Sequence, residues 1–264
     1  MWHTRLQIEV QYGAPIGSSR RALRVLPLEI GQTIASESWR ASPQPTRFFE
    51  KRDRFGNRVL EVFNRKIERV WQFELTFQTL SFAPVSAREN ENLGAWKMPS
   101  RAVFFAPILR DLAADFRAMP SENRPNALCD FVFQNLEYTP QNSPAPARAE
   151  EIWARKRGSC ADFAHLFLAL CRLNGLPARY VAGYLMGEGQ MHAWAQVFDA
   201  KNQIWRGFDP THNRATDERY VAVGVGRDFY DVAPHEGTFR GNSGALLRLF
   251  CETKSQEIMT RAKK

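Results

Sequence analysis

The stretch Arg157-Gly158-Ser159-Cys160-Ala161-Asp162-Phe163-Ala164-His165-Leu166-Phe167-Leu168-Ala169-Leu170-Cys171 decides the reading of this chain. Ser159 and Asp162 have the spacing of a capping box, so a helix is predicted to start at Cys160. The apolar run carries it to Asn174-Gly175, a C-terminal stop with Pro177 just beyond. Cys160 thus takes the first helical position. Unpaired backbone N–H groups and the positive end of the helix dipole gather there. Both favour thiolate over thiol, and the thiolate is the nucleophile. A cysteine so placed calls for a base and a group to orient it. The chain supplies His192 in Met191-His192-Ala193-Trp194, then Asp209 in Phe208-Asp209-Pro210-Thr211.

Three strand-like stretches follow the helix, Ala178–Leu185, His192–Phe198 and Ile204–Asp209, with a fourth near Tyr220–Val225. Upstream, Ile108, Leu112 and Phe116 mark one helix. Leu128, Phe131, Val132 and Leu136 mark another, with Asn123 and Pro125 near its start. The Pro-rich loop 139–146 leads to a short helix around Ala149–Arg157. Residues 1 to about 85 read as antiparallel strands. Leu6, Ile8, Val10 and Tyr12 alternate with polar residues, and Trp71, Phe73, Leu75 and Phe77 do so more clearly. Arg54-Phe55-Gly56-Asn57-Arg58 reads as a turn between strands. One-sided alternation over several strands fits a small sandwich. The fold class expected is α+β, with a β-sandwich at 1–88 and a helix-on-sheet core at 89–264. The polar stretch Glu252–Lys264 is expected to be loosely held.

The 264 residues suffice for one large domain or two ordinary ones. A hydrophobic fraction of 44% and a charged fraction of 24% are ordinary for a soluble globular protein. No apolar stretch approaches the roughly 20 residues that span a bilayer. The N-terminus alternates from the start and lacks the pattern of a secretory signal, so a cytoplasmic protein without a membrane partner is expected. Net charge is +8, but the basic residues are scattered and form no nucleic-acid motif, so no nucleic-acid partner is expected. Cys129, Cys160, Cys171 and Cys251 show no C-x-x-C spacing. Cys129 and Cys171 fall on apolar faces and read as small core residues, while Cys251 has no role by sequence.

Taken singly, each candidate residue has a bland reading: a packing cysteine, a structural histidine, a turn-forming aspartate. Their ordered conjunction, with the helix cap, points to nucleophilic catalysis. Period-two geometry puts His192, Trp194 and Gln196 on one strand face. Antiparallel pairing brings Asp209 beside His192. His165 lies five residues after Cys160, about 140° around the helix, and so points away from the thiol. His212 falls in the turn beyond Asp209. A zinc site from cysteine, histidine and aspartate lacks a fourth ligand at sensible spacing, so no metal and no cofactor are expected.

Four ordered motifs resemble the bacterial transglutaminase-like superfamily, whose site is similar to that of papain-type proteases. They are Gly158-Ser159-Cys160-Ala161-Asp162, Gly175-Leu176-Pro177-Ala178-Arg179-Tyr180-Val181-Ala182-Gly183-Tyr184, His192-Ala193-Trp194 and Phe208-Asp209-Pro210-Thr211. The resemblance continues through Val223–Pro234 and into the N-terminal β region, so it spans nearly the whole chain. It implies a papain-like, transglutaminase-like core behind an N-terminal β domain. It also implies Cys160 as nucleophile, His192 as base and Asp209 as its orienting partner. Tyr138, in a Tyr-x-Pro context, is either an oxyanion donor or a packing residue at a helix end. Trp194 and Gln196 join it as substrate-side candidates, although the family commonly carries an acidic residue where this chain has Gln196. The implied activity is acyl transfer on peptide or glutamine amides of a peptide or protein substrate through a cysteine thioester. Hydrolysis is favoured over cross-linking. A true transglutaminase with an amine acceptor, an arylamine acetyltransferase and a catalytically silent peptide-binding module are the alternatives.

Overall fold

The computed structural model describes residues 1–87, 91–140 and 146–255. Most of the expected Pro-rich loop, the 88/89 boundary and the tail after residue 255 lie outside them. In chain order come β1 (Trp2–Tyr12), β2 (Ser19–Leu23), β3 (Gln32–Ser42), β4 (Arg47–Arg52), β5 (Arg58–Asn64), β6 (Val70–Phe82) and β7 (Val85–Ser86). Then follow α1 (Pro107–Ala114), α2 (Arg124–Asn135), β8 (Glu137–Tyr138), α3 (Ala149–Arg155), β9 (Arg157–Gly158) and α4 (Cys160–Leu173). The last run is β10 (Ala178–Leu185), β11 (Met191–Asp199), β12 (Ile204–Asp209), β13 (Arg214–Ala215), β14 (Tyr220–Gly226), α5 (Phe229–Val232), β15 (His235–Phe239) and β16 (Ala245–Ser255). The fold is α+β.

The sandwich has one sheet in the order β16-β1-β6-β3 and another in the order β15-β2-β5-β4. The alternating residues fix its register. Leu6 faces Leu75, Ile8 faces Phe73 and Val10 faces Trp71 across β1 and β6, and all six are buried. A slip of one residue would turn each set toward solvent. Full burial of such a side chain stabilises by about 1.5–3 kcal/mol.

Residues 235–239 and 245–255 return to the sandwich, one edge strand to each sheet. The core therefore ends earlier than the expected 264. The β16 sequence hid this, because Leu246, Leu247 and Phe250 lie on an exposed edge and do not alternate cleanly. Of the span expected to be loose, residues 252–255 pair with β1. The α1 face also differs from expectation: Leu109 and Ala113 are buried while Ile108 is exposed. Pro107 starts the helix, and that start sets the inward face one position later than the sequence pattern suggested.

The core sheet runs β13-β12-β11-β10-β14, with β7 also pairing β12. Helix α4 packs on β10 and β11 and is buried from Cys160 to Arg172. An unpaired edge at β14 would leave backbone groups unsatisfied. The sandwich satisfies them with side-chain amides. Asn57 Nδ2 donates to Val225 O (2.8 Å), and Val225 N–H donates back to Asn57 Oδ1 (2.8 Å). Gln32 does the same at Ala222, at 3.0 and 3.1 Å. The turn read at 54–58 thus docks the two units.

His235 gives the sandwich an acid-sensitive point. It packs near Trp71, whose ring centre lies 4.2 Å from the Arg21 guanidinium. Burial, with Arg21 adding repulsion, pushes its imidazole down to about 4 from 6.5. An unfolded chain takes up that proton near 6.5, whereas the fold resists it until about pH 4. Stability from this group is therefore full above 6.5 and falls as pH drops through that window, by up to about 3 kcal/mol. Urea unfolding from pH 6.5 to 4 should show that slope in the native chain and a flatter one in His235→Leu. Equal slopes would remove His235 as the cause.

Candidate active site

The helix start is built by Asp162. Its Oδ2 accepts from Ser159 N–H (2.8 Å) and the Ser159 hydroxyl (3.1 Å), and its Oδ1 accepts from Ala147 N–H (2.8 Å). Gly158 leaves room for that carboxylate: a Cβ there would lie 2.5 Å from Asp162 Cβ. Cys160 then occupies the first position of α4 at 9% exposure, close enough to His192 to help hold that imidazole charged. Cys129, Cys171 and Cys251 are sealed more tightly. Burial pushes Cys129 and Cys251 up to about 12 and Cys171 well above its ordinary 9.0.

His192 and Asp209 meet as the strand pairing requires. Strand β11 pairs antiparallel with β12, Ala195 facing Phe208. His192 Nε2 lies 2.8 Å from Asp209 Oδ2, and both side chains are buried. Desolvation would lower the imidazole, but its hydrogen bonds to Asp209, Cys160 and Glu188 outweigh it. His192 is held well above its ordinary 6.5. Burial would likewise raise the Asp209 carboxyl, yet bonds from His192, His212 and Tyr220 hold it far below the usual carboxylate range.

Asp209 has more partners than the sequence suggested. His212 Nδ1 (2.8 Å) and the Tyr220 hydroxyl (2.7 Å) also reach Oδ2, while Oδ1 accepts from Thr211 N–H (2.9 Å) and His212 N–H (3.3 Å). Sequence reasoning gave His212, Tyr220 and Glu188 no role in the site. The last lies 3.3 Å from His192 Nδ1, from the turn between β10 and β11. A signal for His212 existed: Asp-Pro-Thr-His is an Asx-turn sequence that folds the fourth residue back on the first.

The substrate-side candidates divide. Tyr138, 43% exposed, pairs opposite Gly158 through β8 and β9, and its hydroxyl accepts from Gln190 Nε2 at 3.1 Å. Burial and the neighbouring Cys160 raise its phenol above 10.0. Trp194 is 2% exposed, its ring lying near-parallel to His192 at 6.3 Å and edge-on to Tyr220 at 5.3 Å. A Cβ at Gly183 would clash with the Val221 carbonyl oxygen and with that indole, so only glycine fits. Gln196 is buried and accepts from Arg179 Nε at 2.8 Å. Trp194 thus packs against the histidine and Tyr220, while Gln196 is held by Arg179. His165 is fully buried, its Nδ1 bonded to Ala147 O (3.0 Å) and its Nε2 accepting from Phe229 N–H (3.2 Å), as suits a structural histidine turned from the thiol.

Residues 110–210 match the model of the transglutaminase-like superfamily. An uncharacterised protein of Mycobacterium leprae is 33% identical over 162 residues, which are 56% of this chain and 57% of that protein. A protein-glutamine gamma-glutamyltransferase of Pseudomonas aeruginosa is 24% identical over 186 residues, 62% of this chain and 27% of that one. Among solved structures, a candidate cysteine protease from Cytophaga hutchinsonii aligns with a TM-score of 0.79 at 20% identity, covering 98% of this chain and 92% of that chain. That likeness shows a shared fold. The chain spans about half the length of the mycobacterial relatives it matches, between 41% and 57%.

Proposed function

Because residues 110–210 match the transglutaminase-like superfamily, we propose that the chain performs thiol-dependent acyl transfer on peptide or glutamine amides, with water as the usual acceptor. The observation that carries this reading is the grouping of Cys160, His192 and Asp209, with His192 Nε2 2.8 Å from Asp209 and Cys160 near enough to raise the same imidazole.

In this reading Cys160 gives its proton to His192 Nδ1 and attacks the substrate carbonyl. Asp209 holds Nε2–H, so Nδ1 faces the sulfur, and it stabilises the imidazolium. The developing oxyanion meets the Cys160 backbone N–H at the helix start and, on the open side, the Tyr138 hydroxyl. Removing one such donor typically costs 10²–10³-fold in turnover, or about 3–4 kcal/mol. The imidazolium then protonates the leaving amine, and a thioester remains on Cys160. Water activated by His192 releases the acid.

A peptide mixture incubated with and without a primary amine, read by mass spectrometry, tests the assignment. Hydrolysis or deamidation is expected to dominate in both arms. Amine adducts as the main product would make the chain a cross-linking enzyme, and unchanged masses with retained binding would make it a silent binding module.

A further inference from the structure

We propose that Glu188, His192 and His212 bind a zinc-type divalent cation that silences the Cys160 thiol. The inference rests on the reading of His192 as the base for Cys160. Its foundation is a feature the relay does not require. Two imidazoles each turn one nitrogen to Asp209 Oδ2 at 2.8 Å: His192 through Nε2 and His212 through Nδ1. Their remaining nitrogens both turn to Glu188, His192 Nδ1 at 3.3 Å from Oε2 and His212 Nε2 at 3.6 Å from Oε1.

This is the arrangement a metal-ligating histidine needs. A carboxylate behind the ring fixes the tautomer and leaves the other nitrogen's lone pair outward. Here one carboxylate serves two rings. The three ligand atoms lie within 4.8 Å of one another. With zinc–nitrogen and zinc–oxygen bonds of about 2.0–2.2 Å, donors on a tetrahedral ion sit roughly 3.3–3.6 Å apart. The 3.3 and 3.6 Å separations, each to a different Glu188 oxygen, fall in that range. Two histidines and one carboxylate with a fourth position open form a known zinc donor set. Carboxylates 188 and 209 bracket the site and balance a doubly charged ion. This donor set differs from the cysteine–histidine–aspartate site set aside from the sequence: Glu188 comes from the β10–β11 turn, and Asp209 stands behind the two rings.

Access is one-sided. His192 is sealed at 1% side-chain exposure, while Glu188 and His212 open to solvent at 26% and 36%. A cation entering there takes the Nδ1 lone pair that would receive the Cys160 proton. The thiol loses its base, and the ion stands beside the sulfur where a carbonyl must approach.

The test uses the whole chain, stripped of metal, with zinc chloride in calorimetry and cobalt chloride in visible absorption. One ion per chain is expected, with tetrahedral cobalt bands. Glu188→Gln and His212→Gln should each weaken binding at least tenfold with melting temperatures unchanged. Zinc should slow iodoacetamide labelling of Cys160 in the native chain far more than in either variant. The proposal is overturned if neither ion binds saturably, if cobalt keeps its octahedral aqueous spectrum, or if both variants bind as tightly as the native chain. If one variant fails to fold, the other and the cobalt spectrum decide. Labelling without metal separates the two claims: slow labelling there removes the catalytic reading, and tenfold-weaker binding in the variants upholds the site regardless.

Discussion

Cys160→Ala is expected to abolish acyl-enzyme formation and to cut turnover by roughly 10⁶-fold, the loss seen when a nucleophile acting in a relay is removed. Little else should change. The side chain is small, and alanine keeps the helix start that Ser159 and Asp162 build. The melting temperature should stay within about 2 °C, equivalent to under 1 kcal/mol. Intact-mass detection of a thioester with a slow ester or glutamine peptide checks the first part and calorimetric melting the second. Turnover that persists in this variant would place the chemistry on another group.

Asp209→Asn should be nearly as damaging, by about 10⁴-fold in turnover, through the wrong tautomer of His192. It should also cost stability, which separates it from Cys160→Ala. The Asp209 carboxylate accepts from His192, His212 and Tyr220 on one oxygen and from two backbone N–H groups on the other. An amide can place its nitrogen only against donors. Breaking such a buried pair typically costs about 3–5 kcal/mol. A turnover loss with unchanged unfolding would show that the five bonds contribute little to the fold.

The helix-on-sheet half of the fold was legible because its signals are local. The Ser159/Asp162 spacing marked the helix start to the residue, and the runs 178–185 and 204–209 became β10 and β12 with those bounds. The Leu6 and Trp71 series announced two buried faces by alternation alone. What stayed hidden is set by long-range pairing and by turns. The return of β16 to β1 joins residues almost 250 positions apart, and nothing local in Ala245–Ser255 says so. Glu188 owes its place to a glycine-flanked turn, with Gly187 at a φ of +87°. His212 owes its place to the Asx turn at Asp209. Trp194 and Gln196 were placed on the correct strand, but periodicity does not tell which neighbour captures a side chain. Arg179 took Gln196.

The most direct measurement of the central claim is the rate of iodoacetamide alkylation at each cysteine at neutral pH, resolved by peptide mass spectrometry, in the native chain and in His192→Ala. The account predicts that Cys160 reacts at least a hundredfold faster than Cys129, Cys171 or Cys251, and that the advantage collapses without the imidazole. Comparable rates at all four sites, or an unchanged Cys160 rate in His192→Ala, would contradict it.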